Sequence, residues 1–280
     1  MIRQAVPRRL FWRSIWALAR RDWLAAVRSP VPYIAALLAA LVTAYLLTVP
    51  LSFLGDYGLL VATDPLVPAF SGAIAVTAIY TAIAAVTAII QEREQRTLRV
   101  LFYTPITETS LILAKFAGVL LHALTVLLIA CISATISAIV TRFALSGQLL
   151  WTLPLSLLLL ADMAAFGLAL SASAPSTRTA VFGLVALLFV LFGLQLTGRV
   201  AEQVLPALGG GLVAVLAPVL NAVAAVTGVI SPLAYLLRGL QAVALGNAGE
   251  YASNIVASIV YTAVLLALAV RIVAWRGVSS

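Results

Sequence analysis

Ionisable side chains are scarce in this chain, so the few set in apolar surroundings are where any chemistry would lie. Asp162 sits near the middle of one apolar run, and His122 and Cys131 sit in another. A carboxylate at the bilayer centre costs about 3 kcal/mol on insertion scales, so Asp162 should face the interior of a helix bundle. There it would either contact a substrate or ion on a pathway, or hold two helices together by hydrogen bonds. A lone intramembrane histidine reads first as a packed or hydrogen-bonding residue and second as a ligand. A His122–Asp162 pair stays open, because spacing in sequence does not establish contact. Cys131 is the single cysteine and permits no intrachain disulfide. Catalysis would need grouped acids, bases or metal ligands. HExxH, CxxC and GxSxG are all absent. The phosphate loop GxxxxGK[ST] is impossible, because the only lysine lies in Ala114-Lys115-Phe116. No metal site is expected. If ATP drives this protein, another chain binds it.

The elements that position these residues are helices in a membrane. Of 280 residues, 64% are hydrophobic and 9% charged, against roughly 25% charged in an ordinary soluble domain. Mean hydropathy is +1.15. Such a chain lacks the polar groups to cover a globular surface, which excludes a soluble enzyme and a disordered tail. Apolar runs long enough to span recur, which points to an all-α integral membrane protein rather than a β-barrel of short alternating segments. Six spans are expected, at about Val31–Pro50, Pro68–Ile90, Ile112–Val140, Leu150–Ala172, Ala180–Thr197 and Ala252–Val270. The third run measures about 43 Å at roughly 1.5 Å per residue. A hydrocarbon core is about 30 Å thick, so this helix tilts or protrudes. Lys115, in its first turns, is expected to snorkel to the headgroups.

The basic residues set the sidedness. With the N-terminus inside, fourteen basic residues fall on inner segments, and only Arg142, Arg199 and Arg238 on outer ones. Both termini are then cytoplasmic. The net charge of +8 reads as membrane orientation, not as nucleic-acid binding. The leader is too long for a cleaved signal peptide. The whole chain, 1–280, reads as one transmembrane domain, with a cytoplasmic leader (1–30), a cytoplasmic loop (91–111) and an outer region (198–251). In that outer region Val204–Ile230 is apolar enough to span, yet it holds Pro206, Gly209, Gly210, Gly211, Pro218 and Gly228. Broken backbone at membrane depth must be buried in protein or line a cavity. A re-entrant helical hairpin is favoured over a seventh span, although the charge rule barely separates them.

Two segments carry most of the information. In the leader Arg8–Arg28, a helical wheel puts Trp12, Ile15, Trp16, Ala19, Trp23 and Ala26 on one face and Arg9, Arg13 and Arg20 on another. A basic, Trp-rich amphipathic helix lies in the headgroup plane, and Ser29-Pro30 ends it. It serves either as an anchor alone or as a force-transmitting connector. The second segment is Gln91–Lys115. Glu92, Gln95 and Arg99 share a helical face, Leu98, Leu101 and Phe102 form a neighbouring one, and Pro105 stops the helix. Thr107 is the expected N-cap of the third span, with Ser110 in place of the Glu or Gln of a full capping box. The apolar face favours a docking helix over a solvated loop. Small residues recur four apart at Ala78 and Ala82, Ala84 and Ala88, and Ala161 and Ala165, a spacing that allows close helix approach.

The run Glu92-Arg93-Glu94 … Thr97-Leu98 … Leu101 … Pro105-Ile106 … Lys115 resembles the signature of ABC-2 type permeases, the membrane subunits of ABC exporters. Ile230-Ser231-Pro232-Leu233 … Arg238-Gly239 resembles the family's Ser-Pro … Arg-Gly segment before the last span, and ARRDWLAAVRSP is similar to its usual start. The resemblance implies two permease chains, identical or related, with two cytoplasmic ABC ATPase subunits that bind ATP and Mg. This chain would itself bind no cofactor. The leader would be the connecting helix, with Trp12, Trp16, Arg20 and Trp23 along it. Glu92, Glu94, Arg96, Thr97, Leu98, Arg99, Leu101, Phe102 and Pro105 would form the coupling helix in an ATPase groove. Re-entrant outer helices would precede the last span, and a hydrophobic, amphipathic or lipid-linked substrate would move outward across the cell membrane. Arg96 stands where the family usually has Gly, and Arg99 where it often has Glu. Two other classes compete: an ion-coupled secondary transporter, disfavoured by one Asp, one His and no visible repeat, and a non-transporting membrane scaffold.

Overall fold

The computed structural model describes residues 8–57, 64–94, 107–143, 146–208 and 211–276. Within them the chain is helical, with no strand. The elements are α1 (Arg8–Arg28), α2 (Val31–Tyr57), α3 (Leu66–Ala88), α4 (Ile90–Glu94), α5 (Glu108–Thr141), α6 (Gly147–Ser173), α7 (Thr177–Leu208), α8 (Gly211–Ile230), α9 (Pro232–Ala244) and α10 (Ala248–Arg276). Six stretches are long and apolar enough to cross a membrane: Val31–Ser52, Leu66–Glu94, Glu108–Thr141, Gly147–Ser173, Thr177–Gln195 and Ala248–Trp275. They coincide with the six spans expected from hydropathy.

The helix ends follow local chemistry. Thr107 caps α5 by accepting from the Ser110 backbone N at 3.2 Å, while the Ser110 hydroxyl accepts from the Thr107 backbone N at 3.0 Å. Serine thus completes the capping box in the place of glutamate. Ser146 caps α6 by accepting from the Leu149 N. The Ser29-Pro30 break separates α1 from α2, because proline lacks the N–H that would continue the ladder.

The core forms around α3, which lies against α2, α5, α6 and α7. Leu66 and Ala69 cluster with Ala138, Ala73 with Ala130, and Ile89 with Ile112, so α3 runs opposite to α5. Ala35, Ala39 and Leu47 meet successive levels of α5, so α2 runs with it. Outward faces are apolar, as lipid requires. Leu124, Leu128, Ile132 and Ile136 repeat along the exposed side of α5, and Phe182 and Phe189 along that of α7.

The length of α5 has a structural answer. Its 34 residues reach about 51 Å at roughly 1.5 Å per residue. The α2 helix accompanies it from Val126 onward, and α1 packs along the part before that. The leader therefore covers the excess length. Of the apolar face expected for α1, Ile15 and Ala19 are buried, while Trp12 and Trp16 lie 58% and 61% exposed.

Small residues also set the tightest crossing in the core. A Cβ at Gly167 of α6 would sit 2.6 Å from the Ala85 Cβ and 2.7 Å from the Ala82 carbonyl oxygen of α3. Of the three small-residue pairs, Ala78 and Ala82 lie wholly in this core. At Gly72 the obstructions are side chains and not backbone: Leu46 Cδ1 at 2.5 Å, the movable end of its chain, and the stiffer Val42 Cγ1 at 2.9 Å. Gly167→Ala should therefore destabilise the protein by about 1–3 kcal/mol through overpacking, seen as a lower melting temperature in detergent. Gly72→Ala should cost less, because the atoms it meets belong to side chains that can shift and not to backbone. Equal melting of the two variants would refute this account of the crossing.

Candidate functional site

Three consecutive side chains of α4 point to three different parts of the bundle. Glu92 turns inward, where its Oε1 accepts from Lys115 Nζ of α5 at 2.5 Å and from Arg21 Nη2 of α1 at 2.7 Å. Lys115 also donates to Asp22 Oδ2 at 2.8 Å, and Arg21 Nη2 donates to Asp22 Oδ1 at 3.0 Å. Arg93 Nη1 donates to the Ala174 carbonyl, just past the end of α6, at 3.0 Å. Glu94 accepts from both the backbone N and the Oγ1 of Thr177, the first residue of α7, at 2.9 Å each. Ile89 N, at the α3–α4 turn, donates to Ser171 Oγ. The short helix is thus a junction of α1, α3, α5, α6 and α7.

The inner ring holds two cations and two anions and is neutral as a set. Lys115 is 5% and Glu92 8% exposed. Buried charges persist only when paired and hydrogen-bonded, and these are. Burial of the Arg21 guanidinium works against its charge, but the carboxylates of Asp22 and Glu92 outweigh it and hold its pKa above the ordinary value. The approach that makes the ring possible is at Gly118, where a Cβ would lie 3.2 Å from the Asp22 Cβ. Trp23 Nε1 donates to Thr125 Oγ1 at 3.2 Å and fixes the rotation of α1. Lys115 therefore does not snorkel. Two carboxylates hold it, and a fully paired ammonium has no reason to reach for a headgroup.

The intramembrane polar residues have separate partners. His122 Nδ1 lies 3.1 Å from the Tyr80 hydroxyl. Asp162 is fully buried and accepts from Ser258 Oγ and Thr262 Oγ1 of α10 at 2.6 Å each. The two are not brought together. Asp162 faces the bundle interior, as its cost in lipid demands.

A second polar cluster surrounds the end of α8. The last carbonyls of a helix lack intrahelical partners. Here Gly228 O accepts from Arg238 Nη2 at 2.6 Å, Val229 O from the Tyr235 hydroxyl at 3.0 Å, and Ile230 O from the Tyr261 hydroxyl at 2.6 Å. Tyr261 belongs to the middle of α10, so the α8–α9 turn is seated beside mid-helix. Pro232 starts α9, where its missing N–H is harmless. Asn254 Nδ2 donates to Tyr235 O at 2.6 Å. The Arg238 guanidinium lies 4.8 Å over the Tyr235 ring.

A sequence model of the ABC-2 family transporter proteins matches residues 56–271. The chain belongs to this family. Comparison with curated proteins finds no match. It is thus a membrane permease of an ABC transporter, and its family implies association with an ABC ATPase. In this ABC-2 permease Glu92 is buried in the ring, whereas Glu94 is exposed and bonded to Thr177. Arg96, Thr97, Leu98, Arg99, Leu101, Phe102 and Pro105 lie outside the described residues. Trp12, Trp16 and Arg20 are exposed on α1, and Trp23 is half-buried. Asp22, Tyr235 and Tyr261 escaped the sequence reading. Asp22 had a signal, being the only acid in the first thirty residues, facing the only lysine in the chain. Tyr235 and Tyr261 had none.

Lys115→Met leaves two carboxylates sharing Arg21 as their one cation in the ring, so the buried Glu92 loses the partner that is buried with it. Breaking a buried pair costs about 3–5 kcal/mol, and the low end applies because the Asp22 side chain is 23% exposed. Thermal unfolding in detergent should show this loss, and Glu92→Gln with Lys115→Met should recover much of it. Equal melting of the single and double variants would contradict the ring.

Proposed function

We propose that this permease is the membrane subunit of an ATP-driven exporter, with two permease chains and two cytoplasmic ATPase subunits that hold ATP and Mg. It would sit in the cell membrane with both termini cytoplasmic. The α1 helix would be the connecting helix, and the segment after Glu94 the coupling element that rests on the ATPase. The observation that carries this reading is the α4 junction. Immediately before that segment, one short helix is bonded to the leader, to the third span and to both sides of the α6–α7 turn. A push on it reaches most of the bundle, which a solvated loop would not need.

The seat of the α8–α9 turn beside mid-α10 supports a re-entrant outer hairpin in the 198–251 region. ATP binding would draw two permeases together on the inner side and bias a change of access. The apolar lining suits a hydrophobic, amphipathic or lipid-linked substrate. The two hydroxyl bonds to Asp162 favour a tie between α6 and α10 over an ion-coupling site.

Gentle extraction of the chain expressed with its neighbouring reading frames, followed by intact-complex mass measurement, tests the proposal. Two permease-sized and two ATPase-sized chains are expected, and the masses distinguish identical from related permeases. A lone chain would sink it. Arg96 and Arg99 predict acidic residues in the partner groove, since charge complementarity sets partner choice. Arg96→Gly with Arg99→Glu should weaken binding to the native ATPase and improve binding to one with a less acidic groove. Unchanged co-purification with both would count against this role.

A further inference from the structure

Two of the joints that α4 makes are unlike. The joint through Glu92 is buried at its Lys115 contact and cross-linked four ways by Arg21, Asp22 and Lys115. The joint through Glu94 is exposed, its carboxylate held by the N–H and hydroxyl of Thr177 at the foot of α7. A carboxylate at a helix N-terminus is favourable, yet in contact with water each of its bonds can be exchanged for a solvent bond. The helix it holds is also lightly seated. The α7 helix meets the core through a stripe at Ala180, Leu184 and Leu191, while Phe182, Val185, Phe189 and Val190 face outward. It also packs against α8, whose last carbonyls are held by α9 and α10.

We propose that Glu94 is a positioning residue for transport and that its bond to Thr177 is a releasable joint. The bond holds α7 against α4 in the state seen here and opens when α4 is displaced, while the buried ring keeps α1, α4 and α5 together. Displacement of α4 then separates α7, with α8 upon it, from the α1–α5 unit. The pairing of a strong joint and a weak one within one turn of α4 decides which gives first.

This rests on the ATPase-driven reading above. In a Cys131→Ala background, Glu94→Cys and Thr177→Cys are joined by a bis-methanethiosulfonate linker in the purified permease–ATPase complex. ATP hydrolysis should fall several-fold when the bridge is closed and return on reduction. The same linker between Trp23→Cys and Thr125→Cys, across the α1–α5 contact, should leave hydrolysis alike in the bridged and reduced states. Equal hydrolysis with the 94–177 bridge open and closed overturns the proposal. So does a fall of equal size at 23–125, which would mean that any bridge stalls the complex. Hydrogen exchange on the permease alone in nanodiscs gives a second reading. Glu94→Ala should speed exchange in the first turn of α7, Glu94→Gln should do so less, and the turn of α5 around Lys115 should be unchanged. Unaltered α7 exchange in Glu94→Ala overturns the joint itself. Absence of any ATPase from the complex overturns the reading beneath the proposal, whereas equal turnover with an ATPase present overturns the proposal alone.

Discussion

An ammonium group near the apolar layer of a membrane must find carboxylates, and in this permease that demand organises one side of the molecule. Lys115 is the only lysine, and it is held by Asp22 from the leader and Glu92 from the end of the second span. A buried pair is weak evidence for stability, because desolvation consumes most of the Coulombic gain. It is strong evidence for register. Only one placement of α1 against α5 lets Asp22 reach Lys115 while Arg21 reaches Glu92. The ring thereby fixes where the leader lies, how α5 extends beyond the span of α2, and which way the remaining side chains of α4 point.

The opposite demand shapes the α8–α9 turn. There the problem is backbone, not charge. A helix that stops at membrane depth exposes carbonyls with no water to receive them. The end of α8 meets this with one guanidinium and two phenols, drawn from α9 and α10. The Ser-Pro … Arg-Gly run then has a physical meaning residue by residue. Pro232 opens a new helix where no N–H is needed, Arg238 reaches back to the abandoned carbonyl of Gly228, and Gly239 keeps Leu155 and Asn254 from being pushed apart. An arginine that counts as an outer basic residue for topology is, in the fold, a helix cap.

The spans were legible because twenty or so apolar residues leave few alternatives, and the bounds of α1 because Ser-Pro punctuates them. The Thr107 cap was legible for the same local reason, and serine completes the box because its hydroxyl is short enough to accept from the residue three places back. What lay beyond reach was contact across distance. Lys115 has the composition of a snorkelling residue, and only the arrival of Asp22, 93 residues away, makes it a buried one. His122 and Asp162 invited pairing by chemistry, yet Tyr80 and two hydroxyls of α10 claim them. The apolar stripe of the leader gave Trp12, Ile15, Trp16 and Ala19 one face, and only the contact with α5 shows that Ile15 and Ala19 are the part of it buried in the protein. Period and polarity report what a helix presents; the neighbours decide which part is used.

The sequence separation in the ring has a consequence for synthesis. Asp22 leaves the ribosome 93 residues ahead of Lys115, an interval on the order of 5–20 s at about 5–20 residues per second. Throughout that time two spans are already passing into the bilayer and the leader has nothing to lock onto. Its charges must be solvated or held by the insertion machinery until the third span arrives. The emergence of one lysine therefore sets the earliest moment at which the first helix made can be fastened, after two spans and before the remaining three.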